Sequence, residues 1–578
     1  MLVFEEAEKY EKSLEEDFKK KCGIYYTPEP IVRYIVDSTI GKHDIMKNPM
    51  PRILDMSCGC GNFIVSAYET LKEMMINSSY ELCKKYKTDI FRKENIPKYI
   101  FENCIFGCDT DENAIRILKK MVADEIGNES NTNIFNDDGL FKKWKDKFDY
   151  VIGNPPYIGH KLLSKDYKKV VMDSYSSVYR DKSDLYFCFY KRARDCLKKD
   201  GIVSMITPRY FLESMSATHL RKYLKENTEI HEIVDFLGYS SFGEIGVSAC
   251  IVTFKIKSDK KIKTLIYRKK DDSYRKKDNR VYISLHDSLS DISKFEKIKI
   301  DYSELSNNWI IANQNDMKLY KAIESMNSPR LYEISESFQG IITGCDKAFV
   351  VDNDDDRLDY ADKNILKKWI KSREIDSYNI NGGNRTLIYS NDIKSDNCYE
   401  ISEFIRPYKN KLEKRRECVN GIRKWYELQW GRDKCNFERK KIMYPYKSRN
   451  NRFALDNNNC YSSADVYSMC IKPEYEEIYS YEYLVGVLNS SVYDKYYKIN
   501  AKKMSRGVYD YYPNKVMEMK IFKDSNYDKI ESLSKEILKM YKILDKCIDT
   551  DKIKISSLIE KNKEKIDFLV ENSVSKIF

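Results

Sequence analysis

Phe148-Asp149-Tyr150-Val151-Ile152-Gly153-Asn154-Pro155-Pro156-Tyr157 is the stretch that decides how this chain folds. Its apolar first half reads as a buried strand. Its proline-stiffened second half reads as a loop leaving the strand's C-terminal end, where open α/β sheets place their reacting groups. Two consecutive prolines fix φ and remove two backbone donors, so the nearby carbonyls and the Asn154 amide are presented to a ligand rather than consumed by structure. An amide oxygen and a proline carbonyl side by side can accept both hydrogens of a planar exocyclic amine, and Tyr157 can stack on the ring that carries it. The segment describes an amino group being prepared as a nucleophile.

Strand and helix signals alternate on both sides of it. Arg52 to Met56 is a short strand running into a glycine-rich turn, and Phe63 to Met75 is helical; Cys104 to Cys108 is a second strand, with a helix from Glu112 to Met121. After the opening stretch come a helix from Asp184 to Leu197 and strands at Ile202 to Ile206, Ile230 to Phe236 and Ser248 to Ile256. This alternation predicts a mostly parallel sheet with helices on both faces. Ahead of it, residues 1 to 20 suggest one exposed amphipathic helix, and prolines at 28 and 30 open the helix that follows. Near residue 258 the pattern changes to a connecting segment, 258–300, whose stretch from Ser258 to Arg280 is dense in lysine and arginine with short β-like pieces and reads as a solvated hairpin or loop. Residues 301–578 are mixed, rich in tyrosine and polar turns, and end in an apolar stripe at Ile530, Leu533, Ile537, Tyr541 and Leu544 that marks a core-packing helix.

With 578 residues, 42% hydrophobic and 33% charged, the chain needs two to four domains. No stretch reaches the roughly 18 apolar residues of a membrane span, and the N-terminus is no signal peptide, so a cytoplasmic, nucleoid-associated protein is expected. Its 16 cysteines are scattered, and Cys58 and Cys60 lack a partner pair at zinc spacing. They read as reduced apolar fillers, with no structural metal. The net charge of +11 leans toward a polyanionic partner, although abundant lysine, isoleucine, asparagine and tyrosine also report A/T-rich codons.

Three further motifs carry chemistry. Asp55-Met56-Ser57-Cys58-Gly59-Cys60-Gly61-Asn62-Phe63 follows a strand and opens a helix; its glycines admit a ligand close to the backbone, and the helix N-terminus favours an anionic group. Gly107-Cys108-Asp109-Thr110-Asp111 ends the second strand, where Asp109 can take both hydroxyls of a ribose while Asp111 caps the next helix. Asn136-Asp137-Asp138-Gly139-Leu140 sets a carboxylate sixteen residues before Asn154, placed to accept from an adenine amino group. Singly, each is more often a turn.

In that order, and over residues 23 to about 255, these motifs resemble the S-adenosylmethionine-dependent amino-methyltransferases, and the phrase around Asn154 resembles the gamma-class N6-adenine DNA methyltransferases. The resemblance implies an α/β fold: a Rossmann-like S-adenosylmethionine-dependent methyltransferase sheet over 21–257, joined to a mixed α+β target-recognition domain over 301–578. It implies S-adenosyl-L-methionine held by Tyr26, Thr27, Pro28, Asp55, Gly59, Gly61, Phe63, Asp109, Thr110, Asp138, Gly139 and Asn154. It also implies catalysis by Asn154, Pro155, Pro156 and Tyr157, with the flipped base stacked on Tyr157 and Phe242. Phrases such as Gln339 to Gly344 and Leu484 to Ser490 resemble target-recognition domains of type IIG enzymes. Between them, Arg415, Arg416, Arg423, Lys424, Trp425, Arg439, Lys440 and Lys441 interleave basic and aromatic residues suited to phosphate and base contacts. The expected partner is double-stranded DNA, bound by a monomer. Only about twenty residues precede Gly23, too few for a nuclease domain, so an orphan enzyme leaving an epigenetic mark is expected. The competing readings are an RNA-base or protein-glutamine methyltransferase and a regulator that has lost catalysis.

Overall fold

The computed structural model describes residues 3–15, 19, 23, 27–127, 132–180, 182–242, 245–259, 262–269, 295–302, 305, 309–504, 507–544 and 549–576. The chain divides into two compact units, Met1–Asn313 with Lys503–Gly507, and Gln314–Lys502 with Val508–Phe578.

The first unit is built on nine strands: β1 (Ile53–Asp55), β2 (Ile105–Asp109), β3 (Asn133–Asn136), β4 (Phe148–Gly153), β5 (Leu197–Pro208), β6 (Thr228–Phe242), β7 (Ile245–Ile256), β8 (Lys263–Lys269) and β9 (Phe295–Asp301). They lie in the order β3-β2-β1-β4-β5-β7-β6-β8-β9. The run from β3 to β5 is parallel, and β7 inserts antiparallel between β5 and β6. Successive side chains of a strand face opposite sides, and here both sides are covered. Ile53, Ile105, Tyr150 and Ile152 pack on one face beneath helices Glu29–Thr39 and Asn62–Asn77. Leu54, Phe106 and Val151 pack on the other beneath helix Tyr186–Cys196. Burial on both faces is why the central strands appear in the sequence as continuous apolar runs.

From β1 the chain winds outward to β2 and β3, then returns to β4 on the other side. The C-terminal ends of β1 and β4 therefore flank the switch point, where such sheets open a crevice.

Two expectations need correcting. Segment 258–300 is more than a connection, because β8 pairs parallel with β6 and β9 antiparallel with β8, extending the same sheet. Ile266 and Ile298 reach the core there, while alternate lysines stay outside. The N-terminal helix, Val3–Ser13, is not simply exposed, since Ala7 is buried against Cys60 and Ala114.

The second unit holds two four-stranded sheets. One joins Ser335–Gln339, Val466–Ile471, Lys441–Pro445 and Ala454–Asp456, all antiparallel. The other joins Val350–Asp352, Arg385–Ile388, Leu366–Ile370 and Tyr461–Ser462. Helix Tyr527–Leu544 buries Ile530 and Ile537, with Leu533 and Tyr541 alongside, against helix Tyr481–Leu488. Among the described residues no helix is long and apolar enough to cross a membrane.

Candidate active site

A cleft of about 390 Å³ opens at the switch point, lined by residues from the ends of β1, β2 and β4 and from the loop after β3. Asp55 closes β1 and is buried. One of its oxygens accepts from the Ser57 amide at 3.0 Å, and the other has no hydrogen-bond partner among the described residues. Burial, then the neighbouring Asp109 carboxylate, outweigh that one bond and push its pKa up to about 8. Gly153, at φ +148°, lies so close that a Cβ there would sit 2.5 Å from the Asp55 carboxylate.

Asp109 ties the glycine loop to β2. It accepts from the Gly59 amide at 2.9 Å and from the Asp111 amide at 2.9 Å. Burial raises its pKa, against the pull of those bonds. Asp111 is the helix cap expected from the sequence, accepting from Asn113 and Ala114 at 3.0 and 3.2 Å. It also lines the cleft and takes the Tyr10 hydroxyl at 2.9 Å, so it is not turned wholly to solvent. Asp138 accepts from the Leu140 amide at 2.9 Å and from the Tyr167 hydroxyl at 2.8 Å.

The Asn154 carbonyl is held by the Ser57 hydroxyl at 3.1 Å, which joins the strand that carries the proline motif to the loop after β1. Tyr157 is fixed by its hydroxyl on the Ile206 carbonyl at 3.3 Å and by edge contact with Tyr186, 6.1 Å between ring centres. Gly23, at φ +65°, abuts its backbone; a Cβ there would lie 2.7 Å from the Tyr157 nitrogen. Asn62 donates to the buried Thr27's carbonyl at 3.2 Å.

Of the residues expected to hold a ligand, Thr27, Gly59, Phe63, Asp109, Thr110, Asp138, Gly139, Asn154 and Pro156 line this cleft together. Pro28, Asp55, Gly61, Pro155 and Tyr157 stand next to lining residues in the chain without lining it themselves. Tyr26 lies outside the described residues; Phe242 ends β6, and its side chain also lies outside them. Tyr167, Leu163, Leu185 and Phe189 line the cleft and were not anticipated. They follow the proline motif in sequence; Leu185 and its helix return to it through the Leu185 amide on the Ile158 carbonyl at 3.0 Å, and Tyr167 is held there by Asp138.

The basic residues of the second unit divide. Arg415 is not available to a phosphate, because its guanidinium donates to the carbonyls of Leu412, Thr343, Trp425 and Glu427 at 2.9–3.1 Å. Lys441 is fully buried, paired with Asp456 and donating to the Phe437 carbonyl at 2.6 Å. Both were expected at the DNA, and both are spent on the interior. Arg439 pairs with Glu336, Lys440 with Glu482 at 2.9 Å, and Arg423 with Glu427 at 3.9 Å. Trp425 is half-buried with Lys409 over its ring, whereas Arg416 and Lys424 are exposed.

Two family descriptions match the chain in sequence order: Eco57I restriction-modification methylase over residues 103–242, and TaqI-like C-terminal specificity domain over residues 369–521. The chain is similar to the type II restriction-modification methyltransferases. The methylase match contains Asp109, Asp138 and the Asn154–Tyr157 motif. Among type II relatives, the restriction enzyme and methyltransferase RM.Eco57I of Escherichia coli is 22% identical, over 94% of this chain and 62% of its own length. Type II methyltransferase M.BstVI of Geobacillus stearothermophilus is 26% identical, over 57% of this chain and 60% of its own. M.HindII of Haemophilus influenzae is 25% identical, over 82% and 85%. The chain thus spans about three fifths of the first two relatives. The fold is shared with the type IIL restriction-modification enzyme MmeI, solved in complex with DNA, at a TM-score of 0.69 and 15% identity, covering 99% of this chain and 78% of that one.

Proposed function

We propose that the chain transfers a methyl group from S-adenosyl-L-methionine to the N6 amine of adenine in double-stranded DNA, after the base is flipped out of the helix. One observation carries the reading: Asp109 at the end of β2 and Asp138 in the loop after β3 line the switch-point cleft together with Asn154 and Pro156, and the buried Asp55 stands next in the chain to the lining residue Met56. The methyl donor presents donors in three places, an α-ammonium, a ribose diol and an adenine amine, and an acceptor set suits them. The unpartnered oxygen of Asp55 fits the ammonium, Asp109 the diol and Asp138 the amine. Leu163, Leu185 and Phe189 supply apolar walls for a purine ring.

When bound, S-adenosyl-L-methionine supplies an electrophilic sulfonium methyl. The chain's own residues prepare the nucleophile. Asn154 Oδ1 and the Pro155 carbonyl accept the two N6 hydrogens, which draws the nitrogen lone pair out of conjugation and toward the methyl. As positive charge grows on nitrogen, the same two dipoles stabilise it without reorganising, because Ser57 anchors the Asn154 backbone and proline stiffens the next two residues. Tyr157, fixed through Ile206 and Tyr186, offers its face to the unstacked base. Phe242 is the candidate for the opposite wall. The orphan, epigenetic reading adds that supercoiled plasmid stays uncut by the protein.

The test is Asn154→Ala in an assay with labelled methyl donor and genomic DNA, RNA or cell protein. Loss of at least about 100-fold in methyl uptake by DNA, with DNA affinity kept, supports the assignment. Label on RNA or protein instead would favour the other amine substrates.

A further inference from the structure

The turn at Asn420-Gly421, in the second unit, exposes what a folded chain normally covers. Val419 is 72% exposed and Ile422 is 59% exposed. A lone exposed aliphatic side chain is ordinary, but two large ones flanking one exposed turn are not. Their platform is stiff. The amides of Val419 and Asn420 close on the carbonyls of Arg415 and Arg416 at 3.0 and 2.9 Å, and those of Ile422 and Arg423 share the Glu417 carbonyl at 2.8 and 3.2 Å. Beneath them Arg415 gathers carbonyls from four residues. It fits there because Gly344 has no side chain; a Cβ would lie 2.9 Å from the guanidinium.

The surroundings choose the partner. Lys411, Lys414 and Arg416 are exposed, and none has an ion-pair partner among the described residues. Of the nearby acids, Glu413 pairs with Lys409 at 3.6 Å and Glu427 with Arg423, while Glu417 accepts from the neutral Gln429 amide at 3.1 Å and keeps its charge near Arg416. An exposed apolar pair with cations close by in sequence, none of them ion-paired among the described residues, suits neither an apolar protein patch nor a second copy of this basic chain. It suits a polyanion whose interior is apolar. A base stack behind two phosphate rails is such a target, and apolar side chains inserted between base steps unstack them for a few kcal/mol per step.

We infer that Val419 and Ile422 form a wedge that enters the base stack of duplex DNA, with Lys414 and Arg416 gripping the phosphates beside it. The inference rests on the reading of the chain as a DNA methyltransferase. It assigns to the specificity region a mechanical part in freeing a base, which the catalytic motif cannot do alone. A rigid tip loses little entropy on insertion, so its contact energy is available to offset unstacking.

The experiment uses the full chain, first to map modified positions in DNA treated with the wild type, then to bind duplexes carrying that site. V419S/I422S should weaken affinity about ten-fold or more with no change in the slope against salt, since no charge is removed. R416Q should lower that slope by about one. Opening the stack in advance with a mismatch at the site should recover part of the V419S/I422S loss. Wild-type affinity and turnover in V419S/I422S would overturn the wedge, and so would a changed sedimentation coefficient with DNA affinity intact. A collapsed Tm would overturn it too, by showing the pair to be packed. A wild type that labels RNA or protein but not DNA defeats the underlying reading instead.

Discussion

Replacing Asp55 with asparagine should weaken ligand binding and yet steady the empty protein against rising pH. The carboxyl is buried, with one oxygen on the Ser57 amide and the other unpartnered, and its pKa is pushed up to about 8 from an ordinary value of 3.8. Between those values the folded chain keeps a proton that the unfolded chain has released. Its contribution is therefore complete below about pH 4 and is lost as pH climbs toward 8, by at most about 1.4 kcal/mol per pH unit. Asparagine does not titrate, and Asp109 is common to both proteins. The variant's stability relative to wild type should thus improve by up to roughly 2.7 kcal/mol from pH 5 to pH 7. Binding runs the other way. A ligand ammonium, still charged below about pH 7.7, must displace the Asp55 proton. Wild-type affinity for S-adenosylhomocysteine should then rise up to about ten-fold between pH 6 and pH 7, and the variant's should stay flat. Urea unfolding and calorimetric titration at pH 5, 6 and 7 read both effects. Stability curves that run parallel in pH for the two proteins would show that Asp55 holds no extra proton in the folded chain.

Tyr167→Phe removes the hydroxyl that holds one oxygen of Asp138. It should weaken S-adenosylhomocysteine binding by about 1 kcal/mol with Tm little changed, measured by calorimetry; unchanged affinity would show that Asp138 needs no such support. Lys441→Ala strands the buried Asp456 and should cost about 3–5 kcal/mol in urea unfolding. Replacing both by apolar residues should recover much of it. Normal stability with weakened DNA affinity in K441A would return Lys441 to the phosphate contacts.

Much of the first unit was legible because its strands are buried on both faces. Ile53, Leu54, Val151 and Ile152 form apolar runs that only a covered parallel sheet explains, and the reacting motifs sit where those runs stop. β8 showed only as a short β-like piece among lysines and β9 not at all, since strands near a sheet edge bury only alternate residues such as Ile266 and Ile298. Tyr167, Leu185 and Phe189 were missed because nothing local marks them; a backbone bond from Leu185 to Ile158 brings that segment back to the cleft. Charge misled at Lys441. Its partner, Asp456, lies directly opposite on the paired strand, and cross-strand register is invisible in a linear pattern of lysines.

Adenine N6 as the methyl acceptor is tested most directly by digesting DNA that has been incubated with the protein and labelled methyl donor, and identifying the modified nucleoside by mass spectrometry. N6-methyladenine should appear with the wild type and none with Asn154→Ala. Methyl on a cytosine, or label confined to RNA or protein, would contradict that assignment.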